Sequence, residues 1–133
     1  MTNVVFVDTG AWYALANKKD INHERAVQFV LEPKRLLTTN YIIDEAITLT
    51  LFRAGYSAAL RMGEQLWGGE LADIVWVTRA DEQRAWKLFK QYRDKMFSFT
   101  DCTSFAVMSR LNLVYAFTFD ADFSQTGQFQ TVP

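Results

Sequence analysis

Residues Val4-Val5-Phe6-Val7 form an uncharged run that ends on an acid, Asp8. A strand that is apolar at every position, not at every second one, has no face to give to water. It belongs inside a sheet covered on both sides, and such sheets are parallel, with helices as the covers. The rest of the chain follows that constraint. Residues 3–7 read as a strand and residues 9–17 as a short helix. "INHERAVQFVLE" has an apolar stripe of Ala26, Val27, Phe29 and Val30 and is stopped by Pro33. "RLLTT" is a short strand. "NYIIDEAITLTLFRAG" is a helix with Asn40 in N-cap position and Gly55 at C′. "SAALRMGEQLWGG" is a helix closed by two glycines, and "DIVWVT" is a strand. "DEQRAWKLFKQYRD" is a helix with Trp86, Phe89 and Tyr92 on one face. "DCTSFAVMSRLN" is a helix, "VYAFTF" (114–119) a strand and "FQTV" a last short one. The expectation is an α/β fold, a three-layer α/β/α arrangement with a central parallel sheet.

At 133 residues the chain predicts one domain spanning 1–133. Half of it is hydrophobic and 15% aromatic, enough for a core without disulfide or metal staples. Fourteen basic residues against fifteen acidic ones exclude an overtly polycationic nucleic-acid binder, though a basic patch can hide in a neutral sum. Cys102 is the single cysteine, so an internal disulfide is excluded. No basic segment leads an apolar one at the N-terminus, and no run reaches the length of a membrane span. These features predict a soluble cytoplasmic protein.

In parallel sheets, ligands bind outside the carboxyl ends of the strands. Asp8 follows the first strand, Asp120 the fourth, and Asp122 comes two residues later. Asp101 opens the helix that leads into that fourth strand, and Glu45 lies among Ile42, Ile43, Ala46 and Ile47. Each acid also has a plain structural reading: Asp8 as a helix cap, Asp101 as a helix-start acid, Asp120 as a turn residue. Glu45 is harder to explain that way, because a carboxylate in an apolar stretch is costly unless paired or exposed. Clustered carboxylates repel by roughly 1 kcal/mol per pair in water and roughly 4 kcal/mol at an effective dielectric near 20. A divalent cation or bound protons offset that cost. Hard oxygen donors, with His23 the only histidine, select Mg²⁺ or Mn²⁺ over Zn²⁺. Such sites serve phosphate chemistry.

Four segments together resemble the PIN-domain family, in particular its small toxins called VapC. "VVFVDTGAWYALA" is similar to the family's opening strand, an aspartate followed by a small hydroxyl residue, here Asp8 and Thr9. "DINHERA" resembles the stretch before its second helix. "LLTTNYIIDEAITLTL" resembles the segment that supplies its glutamate, here Glu45. "FSFTDCTSFAVMSRLNLVYAFTFDADF" resembles its closing segment, with Asp101 and Asp120 in the acidic places and Phe123 in the aromatic one. The resemblance implies a Mg²⁺- or Mn²⁺-dependent endoribonuclease that cuts single-stranded RNA, a homodimer, and a cognate antitoxin that holds it inactive. It further implies that Asp8 and Asp101 bind the ion directly. Glu45 then orients a water or helps with a second ion, and Asp120 completes the pocket in competition with Asp122. Thr9, Ser98 and Thr100 stand beside these acids, with helix capping as the simpler role for each.

Guidance of RNA past an acidic pocket needs cations. Lys18, Lys19 and Arg25 lie near the first acidic loop, and Arg53 and Arg61 follow the glutamate helix. The basic run "RAWKLFKQYRDK" reads as a solvated helix face. Trp12 and Tyr13 could stack on bases but, at helical spacing after a strand, read as core or interface; His23 reads as a helix-start residue and Cys102 as a small buried filler. Phe52, Leu60, Met62 and Trp67 are apolar beyond what one core needs, and suggest a dimer face or a groove for the antitoxin. Two other readings use the same acids: a phosphoacceptor signalling domain and a non-catalytic interaction module. The first is poorly matched, since "DIVWVTRAD" offers Arg79 and no lysine after its strand.

Overall fold

The computed structural model describes residues 4–133, and Asn3, expected to begin the first strand, lies outside them. Five strands form one sheet: β1 (Val4–Val7), β2 (Arg35–Thr39), β3 (Asp73–Val75), β4 (Tyr115–Phe117) and β5 (Gln130–Val132). All four pairings are parallel, in the order β3-β2-β1-β4-β5. The helices are α1 (Thr9–Ala16), α2 (His23–Leu31), α3 (Asn40–Ala54), α4 (Tyr56–Trp67), α5 (Arg79–Gln91), α6 (Phe99–Arg110) and the short α7 (Asp122–Gln125). The apolar strand that opens the sequence is therefore the centre of the sheet, and Phe6 and Val7 are fully buried.

The order has one physical consequence for function. From β1 the chain builds outward through β2 and β3, then returns across β1 to place β4 on its other side. The carboxyl ends of β1 and β4 thus flank the point where the winding reverses, where open α/β sheets leave a crevice. Phe6 pairs with Ala116 and Val7 with Phe117, and the Asp8 amide donates to the Phe117 carbonyl at 3.0 Å. That register sets Asp8 level with Thr118. Behind the site an aromatic chain fills the core. Phe105 meets Phe97 and Phe123 with ring centroids 5.1 Å apart in each case, and Phe123 meets Phe6 at 6.1 Å.

Local chemistry corrects several sequence-based expectations. Thr39, not Asn40, caps α3: its hydroxyl accepts from the Ile42 amide at 3.1 Å. Asn40 is the first helical residue, and its side chain instead accepts from the Val77 amide at 2.8 Å, tying α3 to the β3–α5 connection. Gly55 ends α3 with φ at +92°, a backbone shape that favours glycine. β3 and β4 are each only three residues long. Asp120 therefore stands in a loop three residues beyond β4, and α7 follows it as an element the sequence did not suggest. Tyr92 leaves the face of Trp86 and Phe89 and packs half-buried on Phe97, with centroids 5.2 Å apart. Met62 is buried in the core and drops out of the candidate dimer face, whereas Phe52, Leu60 and Trp67 stay exposed. Trp12 and Tyr13 are core residues, as expected.

Candidate active site

Asp8 sits at the joint of β1 and α1, only 4% exposed. It occupies the N-cap position, yet its side chain makes no capping hydrogen bond. The carboxylate is therefore not explained by helix capping. Its Oδ2 instead accepts from the Thr118 hydroxyl at 3.0 Å, across 110 residues of sequence. The same Thr118 oxygen accepts from the Asp120 amide at 3.1 Å. Thr118 thus joins the ends of β1 and β4, a role that sequence reading missed. The one available signal was its position, a hydroxyl residue at the end of an apolar strand and two residues before an acid.

Asp101 does cap. Ser98 and Asp101 form a reciprocal capping box at the start of α6, with both bonds at 3.0 Å. The plain reading and the functional one therefore coexist, since the box engages only Oδ2. Glu45, on the second turn of α3, accepts from the Thr9 hydroxyl through Oε1 at 2.6 Å. Each of the three carboxylates thus has one oxygen clamped, to Thr118, to Ser98 and to Thr9 respectively. Thr100 contributes its carbonyl, which accepts from Thr103 at 2.6 Å, and no bond from its hydroxyl to an acid is found among the described residues.

The charges of these groups reach one another. Burial pushes the Asp8 carboxyl up to about 7, with Asp120 and Glu45 adding repulsion and the Thr9 amide and Thr118 hydroxyl opposing. Burial likewise pushes Asp101 up to about 7, with Asp8, Asp122 and Glu45 adding to it and the Ser98 amide opposing. Asp120 is raised by partial burial and by Asp122, and Arg53 pulls it the other way. Asp122, in the first turn of α7, therefore belongs to the same group of acids as Asp120. Of the cations singled out in the sequence, Arg53 acts on Asp120. Its guanidinium lies over the Tyr13 ring, 5.3 Å from the centroid.

The donor set is carboxylate oxygen. Among the described residues, no three His, Cys, Asp or Glu side chains converge closely enough to cage a metal ion on their own. Carboxylate oxygens are hard donors of the kind Mg²⁺ takes, one or two directly with waters filling the rest. Zinc chemistry is not favoured. His23 Nδ1 is bonded to the Ala14 carbonyl at 2.7 Å, and the fully buried Cys102 thiol is pushed up to about 11 by burial and by Asp101.

Known proteins share this chain's sequence pattern and fold. A family model for the PIN domain matches residues 5–128. A curated relative from Mycobacterium tuberculosis, the 23S rRNA-specific endonuclease VapC20, is 33% identical over 131 residues, spanning 98% of this chain and 99% of its own. A VapC ribonuclease from Archaeoglobus fulgidus is 32% identical over 124 residues, spanning 89% of this chain and 78% of its own. The crystal structure of the M. tuberculosis VapC20, described as a sarcin-ricin loop cleaving toxin, superposes with a TM-score of 0.90 at 32% identity, covering 97% of this chain and 99% of that one. VapBC2 from Rickettsia felis, solved with a promoter DNA fragment, shares the fold at a TM-score of 0.70 and 8% identity.

Proposed function

This chain belongs to the PIN-domain family, and from that premise we propose that it is an endoribonuclease, the toxin of a toxin-antitoxin pair, with residues 1–133 acting as one domain. Its activity depends on Mg²⁺ or Mn²⁺, its substrate is a single-stranded or looped RNA segment, and its partners are a cognate antitoxin and a second copy of itself. The observation that carries this reading is Asp8, a buried carboxylate at the winding reversal of a parallel sheet, uncapped and pressed by other acids. A fold retains such a group when a cation offsets it. No helix among the described residues is long and apolar enough to cross a membrane.

Asp8 and Asp101 would hold the ion, Glu45 would orient water beside it, and Asp120 with Asp122 would complete the acidic rim. A bound divalent ion supplies positive charge at the attacked phosphate and makes water a better nucleophile. The chain's own work is placement. Thr118, Ser98 and Thr9 each hold one oxygen of a carboxylate by a hydrogen bond, which fixes the orientation of the side chains that would hold the ion or its water. Arg53, held on Tyr13 beside Asp120, offers a fixed cation to an RNA phosphate.

The decisive experiment incubates the purified protein with a mixed RNA pool, with Mg²⁺ and with EDTA, and sequences the new 5′ ends. Cuts that need the ion and fall in unpaired segments are expected. Equal cutting in EDTA overturns the ion dependence, and no cutting under either condition overturns the enzyme.

Two further outcomes follow from the clamps and the raised carboxyls. Thr9→Val removes the hydroxyl that orients Glu45. It is expected to lower activity or ion affinity about 10- to 100-fold, read as a shift in the Mg²⁺ dependence of cleavage, while Thr9→Ser restores it. Ion binding requires ionised carboxylates, and burial pushes Asp8 and Asp101 up to about 7. At limiting Mg²⁺, cleavage is expected to fall as pH drops through 7 and to recover with excess ion; a flat profile from pH 5 to 8 contradicts the assignment.

A further inference from the structure

Glu45 and Asp101 stand on helices that the sheet holds by different means. α3 leaves β2 without a break: Thr39 ends the strand and Asn40 begins the helix. Glu45 is therefore carried to the carboxyl edge of the sheet by its own stretch of chain. α6 meets that edge from the other direction. Its first turn carries Asp101, its far end leads to β4, and the element before it is α5, not a strand. The acid-bearing end of α6 is thus placed by lateral contacts.

Those contacts make α5 and α6 one antiparallel unit. Arg110, at the end of α6, donates to both carboxylate oxygens of Asp81 at the start of α5, at 2.8 and 2.9 Å. Phe99, at the start of α6, meets Trp86 and Phe89 further along α5 with ring centroids 6.3 and 6.4 Å away.

One side chain of α3 reaches both members of this pair. Tyr41 packs its ring on Phe99 of α6, with centroids 6.2 Å apart, and donates its hydroxyl to the Glu82 carboxylate of α5. Glu82 has no ion-pair partner among the described residues. A hydrogen bond to a carboxylate is stronger than one between neutral groups, and the same bond pushes the Tyr41 hydroxyl above its ordinary value, so it remains a donor. Tyr41 lies four residues, one helical turn, before Glu45, and Phe99 lies two residues before Asp101. Glu45 and Asp101 stand near enough for their charges to repel. A displacement of the α5–α6 pair along α3 would alter that spacing directly.

We propose that Tyr41 is a positioning residue for the acidic site: through its hydroxyl bond to Glu82 it keys the α5–α6 pair onto α3 and so sets the spacing between Glu45 and Asp101. The inference rests on the nuclease reading and deepens it. Glu82 acts here through geometry and not through charge, since it is not among the groups whose charge raises Asp8, Asp101 or Asp120. The ring alone does not perform this role, because a phenylalanine would pack on Phe99 equally well and leave α5 unbonded.

The test titrates the full chain with Mn²⁺ in a calorimeter, without RNA, and in parallel follows cleavage of a mixed RNA pool at varied Mg²⁺. Tyr41→Phe keeps the ring and removes the donor. It is expected to weaken Mn²⁺ binding about 10-fold, the lower end of the range for groups that orient metal ligands, and to shift the Mg²⁺ dependence of cleavage in step. KM for RNA at saturating ion is expected to stay unchanged. Glu82→Ala is expected to match it, and Glu82→Gln, which keeps an acceptor for the hydroxyl, to restore most of the affinity. Tyr41→Phe/Glu82→Ala is expected to be no weaker than either single variant, because the two remove one bond. The thermal midpoint in EDTA reports folding separately. If Tyr41→Phe and Glu82→Ala bind Mn²⁺ and respond to Mg²⁺ as the wild type does, whatever their midpoints, the bond is structural only: the proposal falls and the nuclease stands. Glu82→Gln as weak as Glu82→Ala also overturns it, since charge and not the bond would then be acting. A wild-type protein that neither binds Mn²⁺ nor cleaves RNA overturns both readings.

Discussion

Asp101→Asn is expected to lose RNA cleavage by about a thousandfold or more while folding at least as stably as the wild type. The magnitude follows from what a divalent ion contributes: charge stabilisation of several kcal/mol at the phosphate, at about 1.4 kcal/mol per tenfold in rate. The choice of asparagine matters because Asp101 has two roles. Its Oδ2 accepts the Ser98 amide in the capping box of α6. An asparagine oxygen can still accept that bond, so the cap survives while the charge is gone. Asp101→Ala loses both, and is expected to be destabilised by a further 0.5–2 kcal/mol, about the value of a lost helix cap. The pair separates catalysis from stability: kcat/KM with Mg²⁺ falls in both, and the thermal midpoint falls clearly only in the alanine protein. Full cleavage by either variant sinks Asp101 as a ligand.

Asp8→Asn is expected to do the opposite to stability. Burial raises the Asp8 carboxyl from an ordinary 3.8 to about 7. Between those values the folded chain holds a proton that the unfolded chain has released, so stability declines as pH rises through the interval. Above pH 7 the folded state bears the full cost of a buried charge, about 4 kcal/mol at most. Asparagine keeps an acceptor for the Thr118 hydroxyl and carries no charge. Without divalent ions at pH 8, the thermal midpoint of Asp8→Asn is expected to exceed that of wild type by several degrees. The difference closes below pH 4, where both side chains are neutral. It also narrows at pH 8 when Mg²⁺ is added, because the ion stabilises only the protein that binds it. Asp8 and Asp101 repel each other, so the gain from neutralising both falls short of the sum of the two. A lower midpoint for Asp8→Asn at pH 8 would show that the carboxylate is a structural asset and not a strained ligand.

Phe52, Leu60 and Trp67 remain exposed on α3 and α4. Their apolar chemistry suits a protein partner, the antitoxin or a second copy.

Much of this was legible in the sequence because it is local. An unbroken apolar run such as Val4–Val7 cannot tolerate water on either side, so burial, parallel pairing and helical covers follow from four residues. Acids that follow such runs, Asp8 and Asp120, are expected at the carboxyl edge of the sheet for the same reason. What only the tertiary structure decided depends on atoms brought together from distant positions. The strand order, with β4 crossing back beside β1, is a choice among packings that the individual strands do not encode. The clamp from Thr118 to Asp8 spans 110 residues. Whether an acid at a helix start caps it depends on which partner the folded chain offers: Asp101 caps α6, whereas Asp8 turns to Thr118. The facing of Trp86 and Phe89 toward water, with Tyr92 turned inward to Phe97, was set by the packing of α5 on α6 and not by the helical spacing the three residues share. A local apolar pattern determines that a residue must be buried or exposed; only the assembled layers determine against what.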